Sequence, residues 1–201
     1  MTTATAESRP YHHGDLSRAL VDAARKILET DGPAALSREA GVSPAAPYHH
    51  FKDKAELLEA VAHEGWVELD LALSKARAAT EHPSERMSNL GVAYVCFARD
   101  NPAIYRVMYD CSRDKDALPD QLKEGGAYCQ VRDTLAEQSK TPLAEIDLEL
   151  ATIAGWCAGH GLAEMIGFKQ FAHLKEMLGG EEAFLRAVFQ HLGMFSKFAE
   201  D

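Results

Sequence analysis

Apolar residues recur every three or four positions along most of the chain, the period of an amphipathic helix, and the alternation of a half-buried strand is absent. The pattern predicts an all-α protein. A first helix is expected from about Asp15 to Thr30, capped by Asp15, with Leu16, Leu20, Ala24, Ile27 and Leu28 on its apolar stripe and Gly32-Pro33 as its stop. A long helix is expected from Asp53 to about Ala79, lined by Leu57, Leu58, Val61, Trp66, Leu69 and Leu73, with His82-Pro83 breaking the chain after it. From Ser84 to Arg99 the spacing predicts a helix that buries Leu90, Tyr94 and Phe97. Asn101 then stands where a cap belongs, with Pro102 at the first helical position and Ile104, Tyr105, Val107 and Met108 along the next helix. Asp110 to Asp120 reads as a charged loop, and Pro119 to Ser139 as a weakly amphipathic segment broken at Gly125-Gly126. Thr141-Pro142 is expected to open a helix carrying Leu143, Ile146, Leu150, Ile153, Trp156 and Leu162 as far as Phe168. Gly179-Gly180 separates it from a last helix, Glu181 to Ala199.

Within this pattern the stretch from Ala40 to Leu58 is the most specific. Gly41 suits a tight turn, Ser43 is a good N-cap, and Pro44 falls where a missing N–H does no harm. After Phe51, Asp53 can cap the long helix, with Glu56 three residues on to complete a capping box. The short helix between offers Ala45, Ala46, Tyr48, His49 and His50: small residues for close approach, and rings that can hydrogen-bond phosphates or base edges. Tyr48 and His50, with Lys52 and Lys54 beyond them, suit phosphate contacts; Ala45, Ala46 and His49 suit the base edges, where alanine can touch only a thymine methyl.

At Gly41, Val42, Ser43, Tyr48, His50, Phe51, Lys54, Leu57 and Leu58 the sequence resembles the TetR family of transcriptional regulators. A second resemblance lies in the segment Asn101 to Tyr109 and in Trp156-Cys157-Ala158-Gly159-His160-Gly161, which look like the C-terminal domain of TetR-like regulators named for its Trp-x-x-x-His-Gly motif. Together they imply a helix-turn-helix DNA-binding domain over residues 11–60, after a flexible leader at 1–10, and a helical ligand-binding and dimerisation domain over 61–201. They also imply a homodimer, double-stranded operator DNA as partner, and a small-molecule effector that releases a repressor from its operator. One departure stands out. Only Pro33 to Ala40 lie between Gly32 and Gly41, where the family places a complete second helix; the chain is about one and a half turns short there. The alternative reading is therefore a TetR-like ligand-binding dimer with impaired DNA binding.

The surplus of aromatic residues beyond the long helix supports the expectation of a ligand pocket. Tyr94, Phe97, Tyr105, Met108, Tyr128, Trp156, His160 and Met165 are its candidate lining, although an apolar stripe at helical spacing is core first. Trp156 and His160 share a helix face, either as a pocket wall or as a core tryptophan beside a hydrogen-bonded histidine. Ala151, Gly155 and Gly159 form a small-residue stripe, and Phe184, Val188, Leu192 and Phe195 an apolar one; paired with their mates, these two helices would make a four-helix dimer interface.

Charge changes the picture least. The net charge is −10, and residues 1–60 contribute −2 of it, so electrostatics alone does not point to DNA. No apolar run reaches eighteen residues, and Met1 to Pro10 has no apolar stretch of a secretory signal. Four scattered cysteines without CxxC spacing fit a reduced, cytoplasmic protein. His12-His13 and His49-His50 are poor metal chelators, since neighbours on a helix point about 100° apart. Nothing calls for a cofactor, and the enzyme motifs Gly-x-Ser-x-Gly, HExxH and a phosphate loop are absent; a helical enzyme using His160 is the remote third reading.

Overall fold

The structure, a computed structural model, describes residues 13–31, 51–113, 125–139 and 141–192. These residues hold no strand. The chain divides into two compact units, Met1–Val61 and Ala62–Asp201.

In the first unit α1 spans His13–Asp31. Asp15 therefore sits inside its first turn rather than capping it. Val21, Ala24 and Leu28, spaced i, i+3, i+7, are its buried residues, while Leu20 and Ile27 are half-buried. Phe51 is buried, and α2, Lys54–Ala78, begins just after it. Asp53 caps α2: its Oδ1 accepts the N–H of Glu56 at 2.9 Å. The Glu56 carboxylate reaches back one residue further than a strict capping box, accepting the N–H of Lys52 at 2.5 Å. Each bond occupies an amide that the helix itself leaves without a partner.

The second unit holds the rest of α2, then α3, Pro83–Asp100; α4, Pro102–Arg113; α5, Ala127–Gln138; and α6, Glu145–Met165. A 3₁₀ turn, Lys169–Phe171, leads to the short α7, Ala172–Met177, and to α8, Glu181–His191. Gly179 and Gly180 make the turn before α8 with φ of 90° and 128°, values that a side chain would oppose. The axis of the unit is α3, against which α5, α6 and α8 all pack. Its Met87, Leu90, Tyr94, Val95 and Phe97 are buried, as the spacing predicts for Leu90, Tyr94 and Phe97. Glu137 of α5 ties the polar edge, pairing with both Arg77 of α2 and Arg86 of α3.

Several helix boundaries differ from the sequence reading. The Asn101 side chain turns back, donating to the Phe97 carbonyl at 3.0 Å and closing α3; only its backbone carbonyl starts α4, accepting Tyr105 N–H at 2.9 Å. Asp110 to Arg113 belong to α4 rather than to a loop. Thr141 does not cap α6. Its carbonyl accepts the Ser139 hydroxyl, Pro142 to Ala144 run without helix, and the Ala144 carbonyl accepts the first helical N–H groups at 3.0 Å. Leu143 accordingly lies outside α6, which ends at Met165 rather than at Phe168. The face of α6 also differs. Ile146, Leu150 and Ile153 point outward, 64%, 58% and 45% exposed, while Thr152 and Gly159 are buried and Leu148, Ala151 and Trp156 pack on the core. A helix apolar on both faces has no single stripe to read.

One close internal approach is between α3 and α8. A Cβ added to Gly91 would stand 2.6 Å from the Phe189 ring, and that ring is itself 2% exposed. Neither side has room to yield. We expect Gly91→Ala to lower stability by about 1–3 kcal/mol through overpacking, read as a fall in the denaturant midpoint with the slope unchanged.

Candidate functional site

The residues of the short helix expected to meet DNA, Ser43, Pro44, Ala45, Ala46, Tyr48, His49 and His50, lie outside the described residues. Lys52 and Lys54 are described at the start of α2, Lys52 exposed and Lys54 half-buried, beside the Asp53 cap that fixes where this helix begins.

In the second unit most of the candidate lining residues converge. Tyr94 of α3, Tyr105 and Tyr109 of α4, and His160 of α6 meet through their polar ends. Tyr94 Oη is 3.0 Å from Tyr105 Oη and also bonds Tyr109 Oη; Tyr105 Oη stands 2.5 Å from His160 Nδ1. Around them the rings of Trp66, Trp156 and Tyr128 close the cluster. Trp66 stacks on Trp156 with centroids 6.1 Å apart and meets Tyr109 edge-on at 5.4 Å; Trp156 meets Tyr94 edge-on at 5.2 Å. Tyr128 lies 5.8 Å from Trp156 and donates its hydroxyl hydrogen to Glu149 at 2.6 Å.

Burial raises the phenol pKa of Tyr94 and Tyr105 far above the ordinary value, and that of Tyr109 to about 12. Burial also raises Tyr128, reinforced by its bond to the Glu149 carboxylate. The three clustered phenols therefore keep their hydrogens, and three hydroxyl hydrogens can serve the three short links, with His160 Nδ1 also 3.5 Å from Tyr94 Oη. They do so if Tyr109 donates to Tyr94, Tyr94 to Tyr105, and Tyr105 to His160 Nδ1. Among the described residues no buried side-chain nitrogen or oxygen lacks a partner.

The other candidates separate. Phe97 and Met108 are core, with Met108 packed so closely on Gly65 that an added Cβ would meet its Sδ at 2.6 Å. Met165 is 42% exposed at the end of α6 and lines no part of the cluster. Trp66, Tyr109 and Glu149 belong to the site although the sequence reading omitted them; the i, i+4 spacing of Tyr105 and Tyr109 was the available signal for Tyr109. The cluster is closed. The cavity beside it, between Tyr94, Trp156, Gly155, Gly159 and Phe189, measures only about 20 Å³.

The small-residue stripe faces inward too. A Cβ on Gly159 would meet the Tyr94 ring at 3.3 Å, Gly155 borders the same small cavity, and Ala151 packs on the core. Phe184 is 3% exposed, and Val188 and Leu192 pack against the same core; Phe195 lies outside the described residues. Within one chain these residues contribute to the packing of its own core. The small side chains of α6 are needed because Tyr94 of α3 lies against them.

The raised phenol values set the alkaline behaviour. A group whose pKa is raised by folding contributes stability that is complete below its unfolded value near 10, and that is lost as pH rises through its folded value, about 12 for Tyr109. We expect the tyrosinate absorbance of Tyr94, Tyr105, Tyr109 and Tyr128 to appear only together with loss of helical circular dichroism. Tyr109→Phe should shallow the decline in stability between pH 10 and 12.

Residues 87–191 match the family described as "Tetracyclin repressor-like, C-terminal domain", and residues 20–61 match "Bacterial regulatory proteins, tetR family". A protein of unknown function from Rhodococcus sp. RHA1 shares 29% identity at a TM-score of 0.68, covering 96% of this chain and all of its own. A bacterial regulatory protein in the tetR family from Rhodococcus RHA1 shares the fold at 18% identity and a TM-score of 0.63, over 89% of this chain and 95% of its own. No curated protein is significantly similar to the chain. With its C-terminal match spanning more than half of the sequence and a second match at its helix-turn-helix, the chain belongs to the TetR family of transcriptional regulators.

Proposed function

We propose that the protein is a ligand-responsive repressor that binds operator DNA as a homodimer and leaves it when a small molecule engages the second unit. The observation that carries the reading is the sequence run from Gly41 to Leu58, with a glycine suited to a turn and Ser43-Pro44 suited to a helix start, followed by the Asp53 cap that begins α2. Ser43, Pro44, Ala45, Ala46, Tyr48, His49 and His50 form the groove-facing surface, and Lys52 and Lys54 neutralise phosphates. The working compartment is the cytoplasm, where the operator is; no helix among the described residues is long and apolar enough to cross a membrane.

For the effector, the tyrosine–histidine cluster is the responsive element. It joins α3, α4 and α6 through hydrogen bonds that a ligand with its own polar group can exchange. For the dimer, the support comes from the outward stripe of α6. Ile146, Leu150, Ile153, Cys157 and Met165 follow one face of the helix, all exposed, and a second copy would cover them. The second reading, a TetR-like dimer with weakened DNA binding, draws on the short segment from Pro33 to Ala40.

Gel shifts against the DNA upstream of the protein's own gene separate the two. The repressor reading expects a specific, strongly salt-dependent complex. Lys54→Ala should weaken every sequence alike and flatten the plot of log affinity against log salt by about one unit. Ala46→Glu should abolish binding, because it sets a carboxylate in the groove; survival of specific binding in that variant would move the recognition surface elsewhere. Leu150→Arg should shift the protein to monomer in sedimentation velocity at low micromolar concentration. A dimer of wild-type strength in that variant would exclude the α6 stripe as the interface.

A further inference from the structure

The second unit has a roomy concavity among its described residues away from the aromatic cluster. An open groove of about 670 Å³ runs between the end of α2, the first half of α3 and α8. That volume lies within the range of small-molecule sites, whereas the cavity beside the aromatic cluster measures about 20 Å³. The room exists because the surrounding side chains are short. Ala76 on α2, Ala79 just past its end, and Val92 and Ala93 on α3 give the groove its apolar surface.

Its polar groups sort into two kinds. The charged ones are engaged within the protein. Arg186 donates to Asn89 Oδ1 at 2.6 Å and to Glu182 at 3.2 Å, and Glu85 accepts the Thr80 hydroxyl at 2.8 Å. Two neutral ones are not. Ser88 is only 4% exposed, yet among the described residues its hydroxyl makes no hydrogen bond. Since no sealed side-chain polar atom lacks a partner, this oxygen is one that meets the groove. The exposed carboxamide of Gln190 lines the same groove and has no partner there either.

We propose that this groove is a binding site for an uncharged small amphiphile: an amide- or hydroxyl-bearing head hydrogen-bonded to Ser88 and Gln190, and a short apolar body over Ala76, Ala79, Val92 and Ala93. A neutral head gains the two vacant partners without disturbing an existing bond. A charged head meets a lining whose arginine and glutamates already hold other groups, so its desolvation is poorly repaid. The site is separate from the tyrosine–histidine cluster and needs no operator, so it stands or falls apart from the repressor reading.

The test uses the full-length protein and three probes with one pentyl chain: N-pentylacetamide, pentylamine and hexanoate, followed by amide chemical shifts in two-dimensional NMR. The amide should bind in the millimolar range, on the order of tenfold tighter than either charged probe, and perturb Ser88, Val92 and Gln190. Ser88→Ala should weaken it about fivefold by removing one hydrogen bond. Ala93→Trp should abolish binding by filling the groove from α3, and Ala79→Trp, at an exposed position on the opposite wall, should do the same if the first variant misfolds. Equal affinity for the three heads, shifts centred on Trp156 and His160, binding that survives the tryptophan variants, or no binding of the amide at all would each overturn the proposal.

Discussion

The second unit is arranged around the burial of α3. A helix covered by α5, α6 and α8 at once needs its neighbours to come close, and close approach is a matter of side-chain size. Where α8 crosses, Gly91 makes room for the Phe189 ring. Where α6 crosses, Gly159 receives the Tyr94 ring. Tyr94 then has its body in the core and its hydroxyl among Tyr105, Tyr109 and His160. The hydrogen-bonded network is thus a consequence of burying a tyrosine on the central helix. Its phenol must be satisfied, and three further polar side chains are drawn in to do it.

The division between core and free space also follows from size. Large rings gathered on α3, α4 and α6 fill their own volume and leave almost none. Alanines on α2 and α3, facing the polar side of α8, leave the open groove. Aromatic content is therefore a poor guide to where a ligand has room in this protein, and small side chains on adjoining helices are a better one.

Much of this was legible in the sequence. The long helix after Asp53, the burial of Leu90, Tyr94 and Phe97, and the breaks at Gly125-Gly126 and Gly179-Gly180 follow from local rules about caps, glycine and helical period. The misread places are those where tertiary contacts decide. Asn101 has the composition of a cap, but the carbonyl nearest its amide belongs to the preceding helix. Ile146, Leu150 and Ile153 have the right period for a core stripe, yet Thr152 and Gly159 on the other face are buried, because α3 presents a large ring that only a small partner can admit. Of the candidate lining residues, Tyr94, Tyr105, Tyr128, Trp156 and His160 meet in one cluster, which is closed. Trp66 could not be placed from spacing, since it joins the cluster from α2, whereas Glu149 stands seven residues before Trp156 on α6, a spacing that was available.

The chain contains two tryptophans, and both stand in that cluster, stacked on each other and edged by tyrosines. All indole emission from the protein therefore originates at one point of the second unit. A tryptophan's emission responds to the polarity and quenching groups around it, and a stacked pair gives a coupled signal in near-ultraviolet dichroism that neither ring gives alone. The cluster is thus an optical reporter already in place. Its wavelength and intensity follow the arrangement of α2, α3, α4 and α6 without any label, and no indole at the DNA-facing end contributes background.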